Sequence, residues 1–169
     1  NNANQSFADS DLLLASSQGG EPQSQVYLSF VNLFGSQGVF KPEQIASATL
    51  TLDAAQVDRS GKITAYFLEG AAFETTTWYD RNNYDAEVSS SPVDVDETGS
   101  YNMDVTSIIK KAVETCAEGC AYSIVLVAED DHERRLVHGA VLTERLGLAA
   151  RRIDPLAVGA DAVGHATVG

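Results

Sequence analysis

A period of two governs the apolar residues of this chain. In "QVYLSFVNL", Val26, Leu28 and Phe30 alternate with Tyr27, Ser29 and Val31. In "ATLTL", Leu50 and Leu52 face one way and Thr49 and Thr51 the other, and "KITAYFLE" sets Ile63, Ala65 and Phe67 against Lys62, Thr64 and Tyr66. Successive side chains of a strand face opposite sides, so the pattern predicts strands with one face in a core. "YSIVLVA" is nearly continuous in apolar residues, as a central strand covered on both faces would be. Further strands are predicted in "ADSDLLLAS", "RLVHGAVLT" and around "RRIDPLAV", and turn signals stand between them in "QGGEP", "GSQG", "DRSGK" and "DETGS". About eight short strands punctuated in this way predict an all-β fold, an antiparallel β-sandwich or jelly roll.

One stretch departs from the alternation. "DVTSIIKKAVETC" spaces Val105, Ile108, Ile109, Ala112, Val113 and Cys116 along one face of a helix. Asp104 or Thr106 can cap its start, and Gly119 stands where a left-handed terminating residue belongs. The fold therefore carries one short amphipathic helix against its strands. Cys116 and Cys120 are spaced for a disulfide that ties the helix end to the next strand, or are two free thiols. The polar run 80–99, "DRNNYDAEVSSSPVDVDETG", reads as one long surface loop, and loops of that length commonly carry function.

Charge narrows the partners. With 24 acidic residues against 11 basic ones the net charge is -13, which repels nucleic-acid phosphates and anionic membrane surfaces. No apolar run reaches the length of a membrane span, so no insertion is expected. A chain of 169 residues that is 44% hydrophobic is long enough for one domain with a sizeable core. It begins at Asn1, as a secreted protein processed from a leader would, and an extracellular or cell-surface setting is expected.

The residues offer binding chemistry more readily than catalysis. His132, His138 and His165 lie in no nucleophile or metal motif, and neither G-x-S-x-G nor H-E-x-x-H occurs, so no enzyme activity is expected. Trp78, Tyr79 and Tyr84, near the long loop, are candidates for a platform that stacks on sugar rings. Calcium is the candidate cofactor: Asp80, Asn82, Asn83 and Asp85, with Asp94, Asp96 and Glu97, crowd hard oxygen ligands into one region, without EF-hand spacing.

Several of these segments are similar to one family. Ala8 and Asp9 match an "AD" strand, Tyr27 to Leu33 a "YLKFDL" strand, and Ile45, Ala48, Leu50 and Leu52 an "I..A.L.L" pattern. Ile63 to Tyr66, "FETTTWYD" at Phe73 to Asp80, the turn into a helix at Asp104 to Ile109, and Thr143, Glu144, Pro155, Leu156 and Val158 follow in order. The chain thus resembles the DNRLRE-type extracellular β-sandwich domains, which are grouped with carbohydrate-binding modules. The resemblance implies a sandwich fold and glycan binding.

The ends raise a different expectation. Residues 1–6 read as an N-terminal arm, 7–158 as the sandwich domain, and 159–169 as an extended C-terminal arm rich in glycine and alanine. Val158, Ala160, Ala162, Val163 and Val168 could add a strand to an open sheet edge of a neighbouring copy. The leading expectation is accordingly a non-catalytic secreted subunit that self-assembles into a filament or surface layer by strand donation. The alternative is a carbohydrate-binding module of a larger glycan-active protein.

Overall fold

The fold is seen in a computed structural model, which describes residues 13–18, 21–31, 34, 38–72, 77, 79–116, 120–129, 140–150, 158–159 and 166–168. Its strands are β1 (Leu13–Gln18), β2 (Glu21–Val31), β3 (Ile45–Val57), β4 (Gly61–Glu69), β5 (Asp85–Ser89), β6 (Val93–Val95) and β7 (Gly99–Asp104). Helix α1 (Thr106–Cys116) follows, then β8 (Ala121–Glu129), β9 (Ala140–Ala150), β10 (Val158–Gly159) and β11 (Ala166–Val168). All the pairings are antiparallel. Sheet I runs β1-β9-β3-β7 and sheet II runs β2-β8-β4, with β5 and β6 on the free edge of β4. The chain is an all-β sandwich with one short helix, as the alternation predicts.

The alternating residues meet in register. Leu28 stands opposite Ile124, which stands opposite Phe67; Val26 stands opposite Leu126, which stands opposite Ala65. These face Leu50, Leu52 and Met103 of sheet I in one buried cluster. Each large apolar side chain removed from water contributes about 1.5–3 kcal/mol, so this cluster is the main source of stability. On α1, Ile108, Ile109, Ala112, Val113 and Cys116 all enter the same cluster. The helix touches β3 of one sheet and β4 and β8 of the other, and so bridges the two layers.

Local polar bonds set where the helix begins. The Asp104 carboxylate bonds the Thr106 side chain and accepts the Thr106 amide at 2.9 Å, and the two contacts hold that carboxyl below its ordinary range. The Thr106 hydroxyl also accepts the Ala48 amide at 2.9 Å, which ties the helix start to β3. A disulfide joins Cys116 to Cys120 with the Cα atoms 4.7 Å apart, and it links the end of α1 to the start of β8. Gly119 lies outside the described residues.

The stretch 80–99 corrects the expectation of one unbroken loop. It holds β5 and β6, both on the edge of β4. The cause is a few apolar residues: Val95 is buried, and Val88 and Val93 pack partly buried against the core. Edge strands need little apolar content, so the polarity of the run hid them.

β1 joins the two sheets. Leu13 to Ala15 pair with β9, whereas Ser16 to Gln18 pair with β2 across a bulge at Ser16/Ser17. β1 therefore leaves the rim of β2 free beyond Ser24. There β11 pairs Ala166, Thr167 and Val168 with Leu28, Tyr27 and Val26. β10 likewise pairs Val158 with Leu148 of β9. Two short strands of the stretch expected to reach a neighbouring copy, β10 and β11, thus pair with β9 and β2 of their own chain. The physical reason is proximity: the departing β1 leaves unpaired backbone that an intramolecular strand reaches without association entropy. Ala160, Ala162, Val163 and residues 1–6 lie outside the described residues.

Candidate functional site

The outward residues of sheet II form an ordered grid. The β2–β8–β4 register aligns Gln25 with Val127 and Thr64, Tyr27 with Val125 and Tyr66, and Ser29 with Ser123 and Leu68. Tyr27, Leu68, Val125 and Val127 are buried in a second apolar cluster, with Tyr66, Ala72 and Tyr84 packed against it. This explains the continuous apolar run of β8, which has a core residue on one side and a covered one on the other.

The cover comes from the segment after β4. Gly70 has φ +92, a conformation that side-chain-bearing residues seldom adopt, and it turns the chain back over the sheet. Its amide donates to the Ala121 carbonyl at 3.0 Å, and its carbonyl accepts the Ser123 hydroxyl at 2.9 Å. Ser123 and Ser29 share a hydrogen bond of 2.9 Å, and the Ala72 amide donates to Ser29 at 3.0 Å. At the far end of the segment Tyr84 stacks on Tyr66, with centroids 4.4 Å apart and planes at 29°.

A cavity of about 370 Å³ lies between this segment and β2. Glu21, Pro22 and Gln25 line it from β2, and residues 81–84 line it from the segment. Arg81 brings positive charge, Glu21 negative charge, and Gln25, Asn82 and Asn83 bring amides that both donate and accept. Tyr84 supplies an aromatic wall. The volume falls in the lower part of the range of roughly 300–1,000 Å³ typical of small-molecule sites.

Neighbouring hydroxyls hold the wall in place. Tyr66 donates to Glu129 at 2.9 Å, and Tyr27 donates to Gln25 Oε1 at 2.8 Å. Burial pushes Tyr27 up to about 12, with Arg81 opposing. Burial, then the Glu129 contact, pushes Tyr66 up to about 12, and burial raises Tyr84. All three remain neutral hydroxyls in ordinary buffers.

The expected sugar-stacking residues separate. Tyr84 walls the cavity, Tyr79 is 74% exposed on the same segment away from the lining, and Trp78 lies outside the described residues. The expected calcium ligands have separate hydrogen-bond partners or neighbours. Asn82 and Asn83 line the cavity; Asp80 accepts the Thr77 hydroxyl at 2.7 Å, which lowers its carboxyl pKa; Asp85 accepts the Glu87 amide at 2.9 Å. Asp94 stands opposite Lys62 in the β6–β4 register, and Asp96 accepts the Tyr101 hydroxyl at 3.3 Å. Glu97 meets the same hydroxyl through its backbone. Among the described residues no group of three or more His, Cys, Asp or Glu comes together to hold a metal ion.

Sequence reasoning missed Gln25, Glu21, Arg81, Tyr27 and Tyr66. A signal existed for Tyr27 and Tyr66: each occupies the outward face of its strand, where a large aromatic ring implies a cover.

The fold is thus a sandwich with an aromatic-walled polar cavity on one outer face. Residues 1–137 match carbohydrate-binding module family 96, and the chain belongs to that family. The resemblance drawn from the motifs holds at this level, that of a carbohydrate-binding-module domain. The match ends before β9, although β9 sits between β1 and β3 and is needed to complete sheet I. A search of curated proteins finds no match. Among the described residues no helix is long and apolar enough to cross a membrane.

Proposed function

We propose that this domain is an extracellular, non-catalytic module that grips a single polysaccharide chain in the cavity between β2 and residues 81–84. The supporting observation is the composition of that cavity: one tyrosine wall, three amides, one guanidinium and one carboxylate around about 370 Å³. Sugar rings offer C–H faces that pack on an aromatic ring and hydroxyls that pair with amides and charged groups. A recessed cavity with a single ring fits a soluble chain better than a flat crystalline surface. The motifs shared with the DNRLRE-type domains support the extracellular setting.

The test is isothermal titration against a soluble neutral glucan, a galactan and a polyuronate. At least one should bind, and Tyr84→Ala should weaken that binding by about tenfold or more while Thr51→Ala on sheet I leaves it unchanged. Absence of binding across the panel, or equal binding by Tyr84→Ala, would overturn the reading.

Self-assembly by strand donation stands as a second reading, because the rim of β2 beyond β1 pairs with β11 in an antiparallel ladder. A second copy's β11 would satisfy the same groups. Deleting residues 159–169 should then remove polymers seen by electron microscopy and leave a folded monomer; polymers that persist would refute it.

A further inference from the structure

Gln25 is 3% exposed and yet lines the cavity. A primary amide has an oxygen that accepts and a nitrogen that carries two donors, and a terminal flip exchanges them. Here the oxygen end meets a neighbour. Tyr27 lies two residues along the same outward face of β2, and its hydroxyl donates to Gln25 Oε1 at 2.8 Å. Tyr27 cannot swing away, since it is 1% exposed among Leu68, Val125 and Val127. With the oxygen turned to the Tyr27 hydroxyl, the amide nitrogen is the end of Gln25 that has donors left for a ligand in the cavity.

We propose that Gln25 is a specificity-determining donor of the glycan site, reading an acceptor oxygen on the sugar through Nε2, and that Tyr27 is its positioning residue. This inference rests on the carbohydrate-binding reading and names which atoms discriminate among glycans. A buried donor rejects a ligand that leaves it unmet, because the desolvation of that donor is then not offset. The favoured glycan therefore carries a hydroxyl, ring or carboxylate oxygen at that point, and an analogue lacking it binds poorly. Arg81, Asn82 and Asn83 face the same cavity and complete the polar set.

The experiment is a double-mutant cycle with Gln25→Ala and Tyr27→Phe on the full chain. The probe is the polysaccharide of the panel that the unaltered chain binds most tightly. Gln25→Ala should weaken binding about tenfold and Tyr27→Phe about threefold to tenfold, whereas Tyr27→Phe should add nothing in the Gln25→Ala background. A purely structural role for the Tyr27 hydroxyl would lower Tm and leave the dissociation constant and the cycle flat. Gln25→Glu, which exchanges the donors for an acceptor, should weaken a polyuronate more than a neutral glucan. Binding by both single variants within twofold of the unaltered chain, with Tyr84→Ala still impaired, would overturn this inference alone. Additive losses would overturn the positioning role of Tyr27. Failure of the unaltered chain to bind any of the three polysaccharides would overturn both readings.

Discussion

The two sheets share one core and differ on their outer faces. On sheet I the outward residues of β3 and β7 form polar rungs: Thr51 donates to Asn102 at 2.8 Å, and Ser100 bonds to Asp53. Those side chains satisfy one another in water. On sheet II the same register positions hold Tyr27, Tyr66, Val125 and Val127, which are costly to expose and against which Ala72 and Tyr84 pack. The cavity lies at the margin of that cover. A sandwich thus acquires a cavity by making one outer face too apolar to stay bare and leaving its cover incomplete.

Truncation should separate the faces most sharply. Tyr27→Ala removes a large buried side chain and should cost about 3–5 kcal/mol, while Thr51→Ala should stay within about 0.5 kcal/mol. Urea denaturation followed by Trp78 fluorescence measures both. Equal costs would mean that the outer face of sheet II is not a second core.

The anchor of the cover gives the next effect. Ser123 donates to the Gly70 carbonyl and meets Ser29, and both serines bond the start of the covering segment. Ser123→Ala should destabilise by about 1–3 kcal/mol, the cost of leaving buried polar groups without partners. Hydrogen exchange at the Ala72 amide should speed up more than exchange at Thr51 in sheet I. Unchanged exchange at Ala72 would show that the stack of Tyr84 on Tyr66 holds the segment alone.

Much of this contrast could be read from the residues, and the unread part has a physical cause. The inward set of β2, β3, β4 and β8 and the buried stripe of α1 fall where period two and period 3.6 place them. Periodicity reports which residues face a core because burial acts on every turn or pleat. It does not report strand partners: the crossing of β1 between sheets and the return of β11 to β2 depend on which rims are left unpaired. The cavity was half readable. Tyr84 and Asn82 were visible as chemistry in a polar run, but Gln25 and Glu21 lie far from them in the chain and join them only through the fold over sheet II.

Alkaline pH probes the covered face with a smaller signal. Tyr27 and Tyr66 are pushed up to about 12 from an ordinary value of 10.0, so the folded state favours their neutral forms. That stabilisation is complete below pH 10 and is lost as pH rises through about 12. Tm should therefore hold to about pH 10 and fall above it, and Tyr27→Phe should shallow the fall by up to one proton's worth of slope. An unchanged slope would mean that Tyr27 ionises without loss of the fold.

Calcium should have the least effect. The ion takes six to eight oxygens at about 2.3–2.6 Å, so its ligands must converge. Here Asp80 serves Thr77, Asp96 serves Tyr101, and Asp94 stands opposite Lys62 across the β4 edge. Asn82 lines the cavity beside Asn83, and Asp85 accepts its own strand's amide. A ligand far below its dissociation constant adds no stability, so millimolar calcium should move Tm by less than about 1 °C, and chelator should change nothing. A larger rise that chelator reverses would place calcium on Asp80, Asn82 and Asp85. The ion would then join the cover of sheet II, and the difference between the two faces would be one of metal binding as well as of packing.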